Sequence, residues 1–112
     1  MISMTWPQYL RRECDVDGLV VALTHDQTVM LATLLMRYPE PVTRGELIEE
    51  IYPDPDRTPE WPGFAVDEHI ARLKHRIGAW RIFTRRGSGY RLRQFPHERW
   101  AWGARGPGGT LS

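Results

Sequence analysis

The chain has 112 residues, 41% hydrophobic and 26% charged, enough for one small domain with a core. Its single cysteine, Cys14, excludes an internal disulfide and a cysteine-rich zinc site. The formal net charge of +1 hides a strong polarity: residues 66–93 carry eight Lys/Arg against two acids, while residues 40–65 carry two against seven.

Residues 1–23 give the weakest pattern. Trp6-Pro7 argues against an early helix, because a residue before proline avoids the α region. Residues 9–14 read as a short strand, Asp15-Val16-Asp17-Gly18 as a turn, and the apolar run 19–23 as a second strand, together a small hairpin.

Thr24-His25-Asp26-Gln27 has the spacing of a capping box, with Thr accepting from the backbone three residues on and Gln reaching back. It opens a helix whose apolar face includes Val29, Leu31, Leu34 and Leu35, and which Pro39 and Pro41 stop after Tyr38. Thr43-Arg44-Gly45-Glu46 is a second box and opens a second helix with Leu47, Ile48 and Ile51 inside and Pro53 at its end. The short connection between the two suits a helix-turn-helix.

Residues 54–63, DPDRTPEWPG, form an acidic, Pro-rich loop, in which Thr58-Pro59-Glu60 has the makings of one helical turn. A third helix is expected over residues 64–77. Val66, Ile70, Leu73 and Ile77 fall on one stripe, with Glu68, Arg72 and His75 opposite and Ala71 and Lys74 on the flank. Gly78 suits the exit. Residues 82–85 and 90–93 then read as a basic hairpin around Arg86-Gly87-Ser88-Gly89, where glycine supplies the positive φ of a tight turn. Beyond it, residues 94–112 make a Gly/Pro-rich tail expected to be partly disordered, with Trp100 and Trp102 unassigned. The expected division is residues 1–23 as short strands, 24–93 as the domain, and 94–112 as the tail.

The order strand, helix, helix, loop, helix, hairpin is an α+β winged helix-turn-helix. It resembles the DNA-binding domain of OmpR/PhoB-type response regulators over roughly residues 19–93. The matching pieces are Leu23-Thr24 with Gln27, Val42-Thr43-Arg44 with Leu47, Val66-Asp67 with His69-Ile70 and Arg72-Leu73, and Ile82, Thr84, Arg86-Gly87 and Gly89-Tyr90-Arg91. The family's leading four-stranded sheet is shortened here, and the chain has no receiver domain. Regulation through a linked receiver is therefore not implied.

The resemblance implies that the third helix lies in a major groove and the wing in the adjacent minor groove. Arg72 is the first candidate for reading a base, followed by Lys74, Glu68 and Ala71, with His75 on the same exposed face. Arg presents two donors to guanine and Glu accepts from cytosine. Arg72 has an alternative as the i, i+4 partner of Glu68. Arg86, with Arg85 beside it, corresponds to the wing position that enters the minor groove, the alternative being a solvated turn arginine. Thr43, Arg44, Thr84 and Arg91 are phosphate-contact candidates, and Thr43 also has a full explanation as a helix cap. Tyr90 is expected to pack under the wing.

His69 and His75 are six apart, on opposite sides of a helix, with no third ligand in sight, so no metal or cofactor is implied. No nucleophile–base pair or phosphate-cradling loop suggests an enzyme. The resemblance also implies that the loop 54–63 can touch RNA polymerase, with Trp61 either a contact or folded over the core. It further implies that copies bind tandem half-sites on DNA. The alternative is a protein-interaction module that reads no DNA. The first residues lack the pattern of a signal peptide and no apolar run reaches the roughly 20 residues of a bilayer span, so a cytoplasmic location and no membrane contact are expected.

Overall fold

The computed structural model describes residues 2–85 and 87–93. Arg86, Trp100, Trp102 and the rest of the tail, on which expectations were placed above, lie outside the described residues.

The chain begins with β1 (Ile2–Ser3), then α1 (Trp6–Arg11), β2 (Glu13–Val16) and β3 (Leu19–Ala22). The strands form one antiparallel sheet in the order β1-β2-β3. The predicted strand over residues 9–14 is split: residues 9–11 end α1, and only residues 13 and 14 are extended, as the start of β2. Pro7 sits at the first positions of α1, where its missing N–H costs nothing. Thr5 and Gln8 make a full capping box there, the same signal as in the two helices that were recognised. The expected turn between β2 and β3 is present: Asp17 and Gly18 both have positive φ (52° and 86°) and Val16 pairs with Leu19.

Helices α2 (His25–Arg37) and α3 (Arg44–Ile51) start at complete capping boxes, Thr24 with Gln27 and Thr43 with Glu46. Each such cap contributes about 1 kcal/mol. The single helical turn between α3 and the next helix is a 3-10 turn at Pro55–Arg57 capped by Asp54, and not one at Thr58-Pro59-Glu60. An Asp side chain accepting from the N–H two residues on is the stronger local competitor. Helix α4 (Pro62–Ile77) starts two residues before the predicted Phe64, with Pro62 in its first turn and no side-chain cap.

Val66, Ile70, Leu73 and Ile77 of α4 are all buried, as the periodicity requires. Together with Leu31 and Leu34 of α2 and Leu47 of α3, they form the centre of the core. A 3-10 turn at Ala79–Arg81 leads into the wing, β4 (Ile82–Arg85) and β5 (Gly89–Leu92). The wing is fixed to the helices through Val42, just before α3, which exchanges both backbone hydrogen bonds with Tyr90 at 2.7 and 2.9 Å. Gly89 makes this approach possible: a Cβ there would lie 2.1 Å from the Val42 carbonyl oxygen.

Candidate nucleic-acid interface

Helix α4 turns about 100° per residue, so its side chains divide into four faces. The stripe around Leu73 faces the core. Directly opposite, Glu68, Ala71, Arg72 and His75 are all exposed. The two flanks are tethered. On one side Arg76 donates to the Ala22 carbonyl at 2.6 and 3.1 Å, and His69 Nε2 lies 3.0 Å from Tyr52 Oη and 3.1 Å from Asp26 Oδ2. On the other, Lys74 Nζ donates to Thr84 Oγ1 of the wing at 3.1 Å. Anchoring both flanks aims the exposed arc away from the body.

His69 is therefore a packing residue between α2, α3 and α4. No cluster of metal-ligating side chains occurs among the described residues. Glu68 and Arg72 form no ion pair there, so Arg72 keeps its donors.

Beside the arc, a cleft of about 480 Å³ separates the N-terminus of α3 from the wing. Its walls bring together Thr43, Arg44, Thr84 and Arg85, four residues singled out from the sequence, with Tyr90 at the base. Thr43 is engaged as a cap: its hydroxyl accepts from Glu46 N at 3.1 Å. Arg91 and Arg93 lie over the Phe83 ring, 5.6 and 4.8 Å from its centroid, which places Arg91 on the wing's own aromatic residue. Arg81, counted among the cations of this stretch, is buried and paired with Asp17 of the N-terminal hairpin at 2.5 Å. Among the described Lys/Arg of residues 66–93, the side chains of Arg72, Arg85 and Arg93 stand on the surface with no hydrogen bond or ion pair, Arg93 resting on the Phe83 ring.

One residue the sequence reasoning passed over joins these parts. The Asp67 carboxylate accepts from Arg44 Nε at 3.2 Å and from Arg44 Nη2, and Tyr90 Oη donates to it at 2.7 Å. Arg44 also lies flat on Gly63, where a Cβ would come 3.2 Å from Arg44 Cδ. Partial burial pushes the Asp67 carboxyl up, but the hydrogen bonds from Arg44 and Tyr90 and the Arg44 charge outweigh this and hold it below its ordinary value. Arg44 is raised in turn by its hydrogen bonds to Asp67. Burial, then Asp67, pushes the Tyr90 phenol up to about 12. Separations of 23 residues on either side of Asp67 carry no periodic signal, so nothing in the pattern of the chain pointed to this meeting.

Three helices with a hairpin wing define a winged helix-turn-helix domain. A family model described as "Transcriptional regulatory protein, C terminal" matches residues 18–92, and the chain belongs to this family of OmpR/PhoB-type DNA-binding domains. A comparison with curated proteins found no match. Among solved structures, the DNA-binding domain of CpxR from E. coli is 26% identical, with a TM-score of 0.61, covering 79% of this chain and 88% of that one. A RitR mutant is 27% identical with a TM-score of 0.61; the match covers 73% of this chain but only 37% of RitR. The AdeR DNA-binding domain, solved with an intercistronic region, shares the fold at 20% identity and a TM-score of 0.65, over 81% of this chain and 92% of that one. The chain is thus a DNA-binding domain of the transcription-regulator class. No described helix is long and apolar enough to cross a membrane.

Proposed function

We propose that this chain reads a specific double-stranded sequence, with α4 in the major groove and the wing at the adjacent minor groove. The observation that carries this reading is the exposed arc of Glu68, Ala71, Arg72 and His75 beside a cleft walled by Thr43, Arg44, Thr84 and Arg85. Arg72 forks onto a guanine, Glu68 accepts from a cytosine amine, and Ala71 leaves room for a thymine methyl. His75 lies one turn further along the same arc. Thr43, Arg44, Thr84 and Arg91 set the register through phosphates, and Arg86, with Arg85 beside it, enters the minor groove, a role supported by the family resemblance. Lys74 serves the wing through Thr84 before it serves a base. Two copies on tandem half-sites about one DNA turn apart give the affinity that one small module lacks.

Selection of bound duplexes from a random pool, followed by titration at several salt concentrations, tests this. A recovered motif and a linear fall of log affinity with log salt are expected. Recovery of no motif contradicts it.

A second reading has its own support. Trp61 and Phe64 are 72% and 66% exposed at the end of the acidic loop, an apolar pair suited to a protein partner such as RNA polymerase. Trp61→Ala with Phe64→Ala is expected to abolish transcriptional activation while leaving DNA affinity unchanged.

A further inference from the structure

We propose that Asp67 is the positioning residue of this interface: one carboxylate that fixes α3, the recognition helix and the wing in a single DNA-competent arrangement. The inference rests on the DNA-binding reading above and adds a role for an acid that makes no attractive contact with a polyanion.

Three observations converge. Asp67 stands on the wing-facing flank of α4, beside the exposed arc and not within it. Its two oxygens take Arg44 from the start of α3 and Tyr90 from β5, so three elements separate in sequence share one anchor. Tyr90 is also the residue whose backbone pairs with Val42, so the same strand is held by its main chain and by its side chain. Nε and Nη2 of Arg44 are committed to Asp67, and its Nη1 lies beside Gly63, where a Cβ would come 3.4 Å from it, so the guanidinium is held in place at the cleft wall. Asp67 thus lowers the net charge of the cleft wall while ordering the group that must meet a phosphate. Ordering before binding removes a cost that the complex otherwise bears.

Simple charge counting and positioning predict opposite signs. An acid removed from a DNA-facing surface adds one positive charge, which on electrostatics alone tightens binding and steepens its salt dependence. Positioning predicts that Asp67→Ala weakens binding to a selected duplex about tenfold. The slope of log affinity against log salt also becomes shallower by about one, as the Arg44 contact is lost. Tyr90→Phe, which changes no charge, is expected to weaken binding several-fold. The double variant is expected to bind no worse than Asp67→Ala alone, because both act through one node.

The full chain is used throughout, with near-ultraviolet circular dichroism reporting the fold. If Asp67→Ala fails to fold, Asp67→Asn and Arg44→Lys replace it, and wild-type affinity in both overturns the proposal. So does unchanged or tighter binding by a folded Asp67→Ala. Should the wild-type chain bind no duplex, the DNA reading fails by itself, and backbone amide exchange still decides on the anchor. Exchange at Val42 and Tyr90 at least about tenfold faster in Asp67→Asn supports it, and unchanged exchange overturns it.

Discussion

Lys74 Nζ donates a 3.1 Å hydrogen bond to Thr84 Oγ1, so a residue of α4 is tied to the strand that rises into the wing. This gives Lys74 a tethering task and predicts a distinct mutational signature. Lys74→Ala and Thr84→Val should each weaken binding to all duplexes by a similar factor, since wing placement is independent of sequence. A base-reading Lys74 would instead relax selectivity at one base pair. Thr84 is exposed, so Thr84→Val should shift stability by no more than about 0.5 kcal/mol. Titration against a panel of single-base variants distinguishes the two roles.

The wing should be far more sensitive at Gly89 than at Gly87. Both have positive φ, 103° and 82°, but a Cβ at Gly87 meets nothing within 4 Å, whereas one at Gly89 meets the Val42 carbonyl oxygen at 2.1 Å. Gly87→Ala should cost about 1–2 kcal/mol for the left-handed backbone alone. Gly89→Ala should cost about 3 kcal/mol or more, because the Val42–Tyr90 pairing must open. Thermal unfolding of the two variants measures the difference.

Tyr90 should titrate well above the ordinary tyrosine range. Its phenol is pushed up to about 12 by burial and by the Asp67 carboxylate. The neutral phenol is the form the fold favours. Its contribution to stability is therefore complete below the unfolded value of about 10, and is lost as pH rises through about 12. An alkaline titration of tyrosinate absorbance should show a late phase that Tyr90→Phe removes; if the phase persists in that variant, the assignment is wrong.

Cys14 should be inert in the native chain. It is fully buried, and burial, with Asp15 adding to it, pushes its thiol up to about 12, so little thiolate is present at neutral pH. Alkylation by iodoacetamide should be slow until the chain unfolds. Rapid native labelling would contradict the packing of β2 against the core.

Much of this fold could be read from local chemistry. The boxes at Thr24 and Thr43 and the stripe from Val66 to Ile77 each lie within a few turns of chain, so spacing alone located α2, α3 and α4. Helix α1 was missed because Pro7 was weighed as a breaker, although proline is favoured at a helix start and Thr5 and Gln8 carried the capping signal. Strand β1, two residues long, is too short to show alternation. The exposed arc of α4 followed from periodicity. Which of the cations around it are held by acids did not: Arg81, beyond α4, pairs with Asp17, and Arg44, in α3, with Asp67, through tertiary contacts that leave no local pattern.

The central claim is that the outer arc of α4 reads bases, with Arg72 as its principal donor. The most direct test is an anisotropy titration of the selected duplex and its single-base-pair variants with the wild-type chain and Arg72→Ala. The account predicts that Arg72→Ala loses about 1–3 kcal/mol on the selected duplex and no longer distinguishes variants at one G·C pair, while the other positions stay selective. An equal loss on every duplex, or wild-type affinity and selectivity, would contradict it.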